Sequence, residues 1–177
     1  ASVMSFIGAG DKLPLADWQA LKENNQIPQV VIEFWPLDPN KNVLEEIADG
    51  DYDSIIRSYA QDIRSFSSPV FIRPFHEFNG WWYPWSVDSD AKANLFINAW
   101  SHLYEIFENE GATNAIFSFS PITSIDLDRV DWILSRIQDK VDVIAPDGYG
   151  PPYGGFFNEL FTAVVQRLQK YEIPFII

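Results

Sequence analysis

The sequence contains no cysteine, a single methionine and two histidines. The absence of cysteine excludes disulfide scaffolds, zinc sites with cysteine ligands and thiol nucleophiles. The two histidines, His76 and His102, give weak support to a metal centre, and His102 falls on a predicted helix outside the site considered below. We therefore expect neither a metal site nor a metal cofactor.

Basic residues are also scarce, with 12 Lys and Arg against 25 Asp and Glu and a formal net charge of -13. Because the phosphates of nucleic acids and anionic lipids must be matched by Lys or Arg, this charge argues against both as partners. No stretch has the length of a transmembrane helix, and residues 1–10 lack the basic start and long apolar core of a signal peptide. The glycines form no nucleotide-binding motif, so no nucleotide cofactor is expected.

What is present is a chain of 177 residues that is 47% hydrophobic and 16% aromatic, enough for one domain with a core. Short apolar runs alternate with stretches whose apolar residues recur every three or four positions, a pattern typical of βα units and a parallel sheet. The predicted strands are residues 3–8, 29–34, 69–75, 114–120, 141–145 and 173–177. The predicted helices carry apolar stripes within residues 15–21, 55–66, 96–107, 130–137 and 157–168.

These elements predict a single domain over residues 1–177, of the α/β class. Six strands cannot close an eight-stranded barrel, and residues 174–177 form an apolar run with no turn after it. We therefore expect an incomplete (β/α)8 TIM barrel that is truncated at both ends. Polar, Gly- or Pro-bearing segments follow the strands, and in a parallel barrel they lie on one rim: residues 35–50, 79–90, 121–126 and 146–155.

The segment with the most chemistry is residues 73–85, RPFHEFNGWWYPW. It places the carboxylate of Glu77 at the carboxyl end of an apolar strand, beside Arg73 and His76 and before a cluster of aromatic rings. A carboxylic acid in such surroundings suits proton transfer to a leaving oxygen. Taken alone, the residues are equally compatible with a structural pair of His76 and Glu77 beneath a hydrophobic cap.

The same segment resembles the acid/base segment of glycoside hydrolase family 26, which includes β-mannanases and some β-glucanases and xylanases. Further matches lie around Trp100, in residues 111–114 and 119–121, and in residues 147–149. The resemblance implies that Glu77 is the general acid/base on the fourth barrel strand, so that the chain carries about strands 2 to 7. It also implies that His76 helps to orient the reacting sugar and that Trp82 forms an aromatic wall beside the cleavage point. It also implies that Tyr149 is hydrogen-bonded to the nucleophile.

The family's nucleophilic glutamate follows the seventh strand, which corresponds here to residues 173–177. We expect it one or two residues beyond Ile177, so no residue of this chain is assigned as the nucleophile and the 177-residue chain alone is expected to be inactive. Glu172 precedes that strand and is rejected for the role. The remaining candidates for substrate binding are Trp35, Arg73, Asn79, Trp85 and Asp147.

The function predicted is that of a retaining endo-β-glycanase that needs no cofactor, acts on a β-linked polysaccharide or oligosaccharide, is secreted and is monomeric. β-Mannan is the first substrate class, ahead of β-1,3-1,4-glucan and β-1,3-xylan. Phe117, Phe119 and Ile122 depart from residues common in the family, and these departures bear on the substrate. The alternative is a non-catalytic carbohydrate-binding or structural barrel of the same descent.

Overall fold

The computed structural model describes residues 1–151 and 155–177. In these residues five parallel strands form one sheet, β1 (Ser2–Gly8), β2 (Ile27–Glu33), β3 (Val70–Pro74), β4 (Ala115–Phe119) and β5 (Val143–Ile144). Their order in the sheet is their order in the chain. Right-handed crossovers between sequential parallel strands place all the helices on the same face, which is the winding of a βα barrel.

Within the described part of the chain, six helices connect or follow these strands: α1 (Leu15–Glu23), α2 (Val43–Ala48), α3 (Asp53–Phe66), α4 (Asp90–Asn109), α5 (Leu127–Ile137) and α6 (Phe157–Leu168). Short 3-10 turns follow α5 and α6, at Gln138–Lys140 and Gln169–Tyr171. The five predicted helices are thus present. Helix α2 was not predicted; it lies inside the segment that the sequence indicated as a rim loop.

Local side chains fix where several helices begin. Asn42 accepts a hydrogen bond from the Leu44 amide at the start of α2, and Ser89 accepts one from Lys92 at the start of α4. Asp126 accepts one from Arg129 at the start of α5. Such caps satisfy amides that have no partner within the helix.

The core lies between the sheet and the helices that cover it. Helix α3 buries Ile56, Tyr59, Ala60 and Ile63, and α4 buries a longer stripe that includes Phe96, Trp100, Leu103 and Phe107. The rings of Phe96 and Trp100 meet those of Phe75, Phe78 and Phe119 from the ends of β3 and β4. This aromatic core anchors the segments that follow the two central strands.

The prediction for residues 173–177 is corrected by the structure. Phe175 makes a single parallel bridge to Ile144, with hydrogen bonds from the Ile144 amide to the Pro174 carbonyl (2.8 Å) and from the Ile176 amide to the Ile144 carbonyl (2.9 Å). The segment lies beside β5 as expected but is not a strand. Its partner β5 is only two residues long, so the ladder between them has no room to extend.

The segments after β2, β3, β4 and β5 meet at the carboxyl edge of the sheet, where the polar residues of the predicted rim lie. No helix among the described residues has the length and apolar character needed to cross a bilayer.

Candidate active site

The chain leaves β3 through a turn that contains two left-handed residues, Phe75 (φ 55°) and Glu77 (φ 53°). Side chains other than glycine seldom adopt this conformation, and it is held where surrounding contacts dictate it. The Phe75 ring is fully buried, the Glu77 amide donates to the Ser120 carbonyl (2.7 Å), and the Gly80 amide donates to the Glu77 carbonyl (2.9 Å). The turn therefore fixes Glu77 against the end of β4.

The carboxylate of Glu77 is 4% exposed, and each of its oxygens accepts one hydrogen bond. Tyr149 donates its hydroxyl to Oε1 at 2.6 Å, and Trp82 donates its indole N–H to Oε2 at 2.8 Å. The bond to Glu77, followed by burial, raises the pKa of Tyr149, so this hydroxyl keeps its proton. A carboxyl held in one orientation can exchange a proton with a group bound in front of it.

The contact between Trp82 and Glu77 depends on Gly80. A Cβ at position 80 would lie 2.6 Å from two carbons of the Trp82 ring. Glycine therefore lets the indole fold back over its own loop and reach the carboxylate. The Trp82 ring remains 40% exposed, so it forms an aromatic surface beside Glu77.

His76 is buried next to Glu77, with Nε2 2.8 Å from the Tyr83 hydroxyl. Burial, with a smaller contribution from the Arg73 charge, lowers the pKa of His76 to about 4. The imidazole is therefore neutral at neutral pH. Its Nδ1 is buried and has no hydrogen-bond partner among the described residues.

Arg73 and Asp147 form an ion pair with 2.5 Å between Nη2 and Oδ2. The Nε of Arg73 also donates to the Ser120 hydroxyl at 2.8 Å. Asp147 is held in turn through its backbone, because its amide donates to the Pro121 carbonyl and its carbonyl accepts from Thr123. The pair thus ties the ends of β3, β4 and β5 together, two residues before Tyr149.

Asn79 has a different role from the one expected. Its amide nitrogen donates to the carbonyls of Ile122 (3.0 Å) and Ile125 (2.5 Å), and its oxygen accepts from the Ile122 amide (2.8 Å). Both donor hydrogens are used, so Asn79 has none for a sugar hydroxyl. It fastens the loop after β3 to the loop after β4.

Trp85 is also corrected, because its side chain is fully buried and cannot contact a substrate. Its indole N–H donates to the His76 carbonyl at 2.8 Å, and its ring stacks on Tyr83 with centroids 4.4 Å apart. Trp85 therefore supports the turn that carries His76 and Glu77 from beneath.

Trp35 is 53% exposed on the loop after β2, where the sequence placed it. The Tyr52 hydroxyl donates to the Trp35 carbonyl, and the buried Glu46 accepts from the amides of Leu37 (3.0 Å) and Asp38 (2.8 Å). The loop is thus held in one shape from α2, although the structure shows no direct contact between Trp35 and Glu77.

One cleft brings together Arg73, His76, Glu77, Asp147 and Tyr149, all of them predicted site residues. It is also lined by Met4, Phe6, Tyr83 and Gly148. Tyr83 was missed although it lies within the quoted motif. Met4 and Phe6 were missed because β1 was considered only as a strand; their spacing of two residues puts them on one face of it.

Tyr149 was expected to form a hydrogen bond with the nucleophile, and in this structure its hydroxyl donates to Glu77. His102 lies on α4, where Nε2 is 2.7 Å from Oδ1 of Asp53, and it takes no part in the cleft. Across the part of the chain that the structure describes, no group of three or more His, Asp or Glu side chains is arranged to hold a metal ion.

Proteins similar in sequence to this chain include an endoglucanase and a mannan endo-1,4-beta-mannosidase. The chain is 29% identical over 179 residues to Endoglucanase H of Acetivibrio thermocellus, which covers 93% of this chain and 19% of that protein. It is 30% identical over 119 residues to the mannan endo-1,4-beta-mannosidase A and B of Caldalkalibacillus mannanilyticus, covering 63% of the chain and 20% of the relative. The chain thus spans about a fifth of these relatives' length.

Solved structures agree on the fold. The Bacillus subtilis mannanase BCman superposes with a TM-score of 0.72 at 16% identity, over 97% of this chain and 60% of that one. GH26A from Muricauda sp. MAR_2010_75 superposes with a TM-score of 0.75 at 16% identity, over the whole of this chain and 66% of that one. The sheet and helices are therefore part of a (β/α)8 barrel. The model of the family described as Glycosyl hydrolase family 26 matches residues 17–173, and the chain belongs to that family.

Proposed function

We propose that the protein is a retaining endo-β-glycanase, with β-mannan as its substrate class and Glu77 as its general acid/base. The observation that carries this proposal is the fixed carboxyl of Glu77, held by Tyr149 and Trp82 at the carboxyl edge of a parallel sheet. That edge is where barrel enzymes carry their chemistry. The relatives described above, an endoglucanase and a mannan endo-1,4-beta-mannosidase, support an endo-acting glycanase.

The proposed reaction has two steps. A nucleophilic carboxylate attacks the anomeric carbon, the glycosidic C–O bond breaks, and the proton of Glu77 passes to the departing oxygen. In the second step the Glu77 carboxylate takes a proton from water, whose oxygen attacks the anomeric carbon and releases the nucleophile. The neutral ring of His76 lies beside Glu77 in the same cleft.

This mechanism needs a second carboxylate about 5 to 5.5 Å from the first. Of the carboxylates in residues 1–151 and 155–177, Glu77 and Asp147 line the cleft, and Asp147 is engaged by Arg73. We propose that the nucleophile is a glutamate outside these 177 residues, just beyond the segment of residues 173–177 that lies beside β5. Since a polysaccharide does not cross a membrane, we propose that the protein is secreted. We also propose that it is a monomer.

The test is hydrolysis of β-mannan, β-1,3-1,4-glucan and β-1,3-xylan by the full-length protein, which includes the proposed nucleophile and is called the intact protein below. Its Glu77→Ala variant is measured beside it. We expect β-mannan to be hydrolysed faster than the other two polysaccharides. The hydrolysis rate should fall at least 100-fold in the variant, the usual scale for a general acid/base. Azide should restore part of the rate on a substrate with an activated leaving group, because that substrate needs no acid and azide replaces the water that Glu77 activates.

Glu105→Ala is the matched control, since Glu105 is an exposed glutamate on α4. Equal activity of the Glu77→Ala variant and the intact protein would overturn the role of Glu77. Binding of the polysaccharides without any cleavage by the intact protein would favour the non-catalytic carbohydrate-binding barrel instead.

A further inference from the structure

A continuous line of aromatic rings runs past the catalytic carboxylate. Successive neighbours in this line have ring centroids between 4.4 and 6.4 Å apart, in the order Trp35, Trp85, Tyr83, Trp82, Trp81. Trp82 is bonded to Glu77 and Tyr83 contacts His76, so the line passes directly beside the reacting groups. Trp81 stands at one end of it, beyond Trp82.

Trp81 is 79% exposed, the highest value among the large hydrophobic side chains of the described residues. Its ring meets Trp82 at an interplanar angle of 77°, so the two indoles are not stacked. Trp81 therefore contributes little to the core. A single exposed apolar residue is ordinary on a protein surface, but Trp81 is held next to Trp82, which is bonded to Glu77.

The loop that carries Trp81 is held at several points. The Val87 amide donates to the Phe78 carbonyl (2.7 Å), the Ser86 amide donates to the Tyr83 carbonyl (3.0 Å), and the Tyr83 amide donates to the Ser86 hydroxyl (3.1 Å). Asn79 fastens the start of the loop to residues 122 and 125. Because the loop is already held in place, binding of a ligand to Trp81 costs little conformational entropy of the protein.

The occupant that suits this ring is an uncharged molecule with an apolar face that extends out of the cleft. A pyranose ring presents C–H groups on its face, and aromatic side chains provide a large contact area for such a surface. The net charge of -13 disfavours a polyanion in the same position. Continuity with the cleft at Glu77 points to a sugar of the chain that is being cleaved.

We propose that Trp81 is a platform for a sugar ring of the substrate at a position more distant from the cleaved bond than the sugar beside Trp82. This inference rests on the proposed glycanase function. It assigns a specificity role to Trp81, namely a preference for long chains over short ones.

The experiment compares the intact protein with its Trp81→Ala and Trp81→Phe variants on a series of β-1,4-manno-oligosaccharides of increasing length. We expect the ratio of kcat/KM on the longest to that on the shortest cleaved oligosaccharide to fall on the order of tenfold in Trp81→Ala, as for loss of one aromatic anchor. The change should appear mainly in KM, and Trp81→Phe should restore most of it because phenylalanine retains a ring face.

Trp132→Ala is the matched control, because Trp132 lies on α5 outside the cleft, with the Arg136 guanidinium 3.6 Å from its ring centroid. It should leave the ratio unchanged. Binding is measured separately by calorimetry with the longest oligosaccharide, on Glu77→Gln with and without Trp81→Ala, so this readout needs no turnover.

The outcomes separate the two proposals. If the intact protein cleaves none of the oligosaccharides, while Glu77→Gln binds the longest one more tightly with Trp81 than without it, the glycanase proposal fails and the sugar platform stands. If cleavage is normal and Trp81→Ala changes neither the length dependence nor the binding, the platform is overturned and the glycanase proposal stands.

Discussion

The hydroxyl of Tyr149 donates a 2.6 Å hydrogen bond to Oε1 of Glu77, a residue 72 positions earlier in the chain. The contact joins the loop after β5 to the turn after β3. It fixes one oxygen of the carboxyl, and a hydrogen bond of this kind is worth about 1 kcal/mol. Tyr149 is thus part of the environment that orients the proposed acid/base.

Tyr149→Phe removes this donor and keeps the ring. We expect kcat/KM on the polysaccharide to fall roughly tenfold, which corresponds to the loss of one hydrogen bond of about 1 to 1.5 kcal/mol. The loss should be smaller on an aryl β-glycoside with a good leaving group, because that substrate needs less acid assistance. Steady-state kinetics on both substrates measure the difference.

Tyr171→Phe provides the control, since Tyr171 donates a comparable 2.5 Å hydrogen bond to Asp131 away from the cleft. It should leave both rates unchanged. An equal loss on the two substrates in Tyr149→Phe would show that the tyrosine does not act through acid catalysis.

Gly80→Ala tests whether the position of Trp82 matters. The new methyl group would lie 2.6 Å from the indole, so the ring must move and its bond to Glu77 must break. Because Trp82 is partly exposed and free to swing outward, we expect activity to fall about tenfold with little change in Tm. Kinetics and thermal unfolding of the same preparations check both parts.

Gly150→Ala is the matched substitution, because a Cβ at position 150 has no atom of residues 1–151 or 155–177 within 4 Å. It should preserve activity. If Gly80→Ala were as active as the parent protein, the hydrogen bond from Trp82 would have no part in catalysis.

The neutral state of His76 makes a prediction about stability and pH. Its pKa is lowered to about 4 in the folded chain and is about 6.5 when the chain is unfolded, so the unfolded state binds more protons between these values. The stability associated with the neutral ring is therefore fully present above about pH 6.5 and is lost as the pH falls towards 4. The effect is on the order of 2 to 3 kcal/mol.

Urea unfolding of the parent protein and His76→Gln at several pH values from 7.5 to 4.5 measures this linkage. The parent should lose more stability than the variant over this range, because only the parent carries the buried imidazole. His102→Gln accounts for the titration of the other histidine. Parallel curves for the parent and His76→Gln would contradict the prediction.

Sequence periodicity predicted the five longer helices because each buries a stripe of apolar residues against the sheet. Helix α2 was not predicted because it has only six residues and lies in a polar segment. What holds it is local: the Asn42 cap and the Glu46 carboxylate, which accepts from the amides of residues 37 and 38. Such contacts leave no periodic signal in the sequence.

The structure brings five of the predicted site residues to one cleft, namely Arg73, His76, Glu77, Asp147 and Tyr149. Asn79 and Trp85 were placed there because they follow Glu77 in the sequence. The positive φ angles at Phe75 and Glu77 end the alternation of a strand, so nearness in the chain no longer tells which way a side chain points. The directions of these two side chains are set by tertiary contacts.

Removal of Arg73 and removal of Asp147 from their ion pair should cost different amounts of unfolding free energy. The Arg73 side chain is 6% exposed, whereas that of Asp147 is 25% exposed and can be partly hydrated. Asp147→Ala leaves a buried guanidinium without its counter-charge, and we expect a cost of about 2 to 4 kcal/mol in unfolding free energy. Arg73→Met leaves a carboxylate that water can reach, so its cost should be smaller, about 1 to 2 kcal/mol.

The double variant Arg73→Met/Asp147→Ala completes a thermodynamic cycle. It should be more stable than Asp147→Ala alone, because removing both charges leaves no uncompensated ion in the cleft. Urea denaturation of the four proteins gives the coupling energy. A double variant whose loss equals the sum of the two single losses would mean that the two side chains do not stabilise each other, despite their 2.5 Å separation.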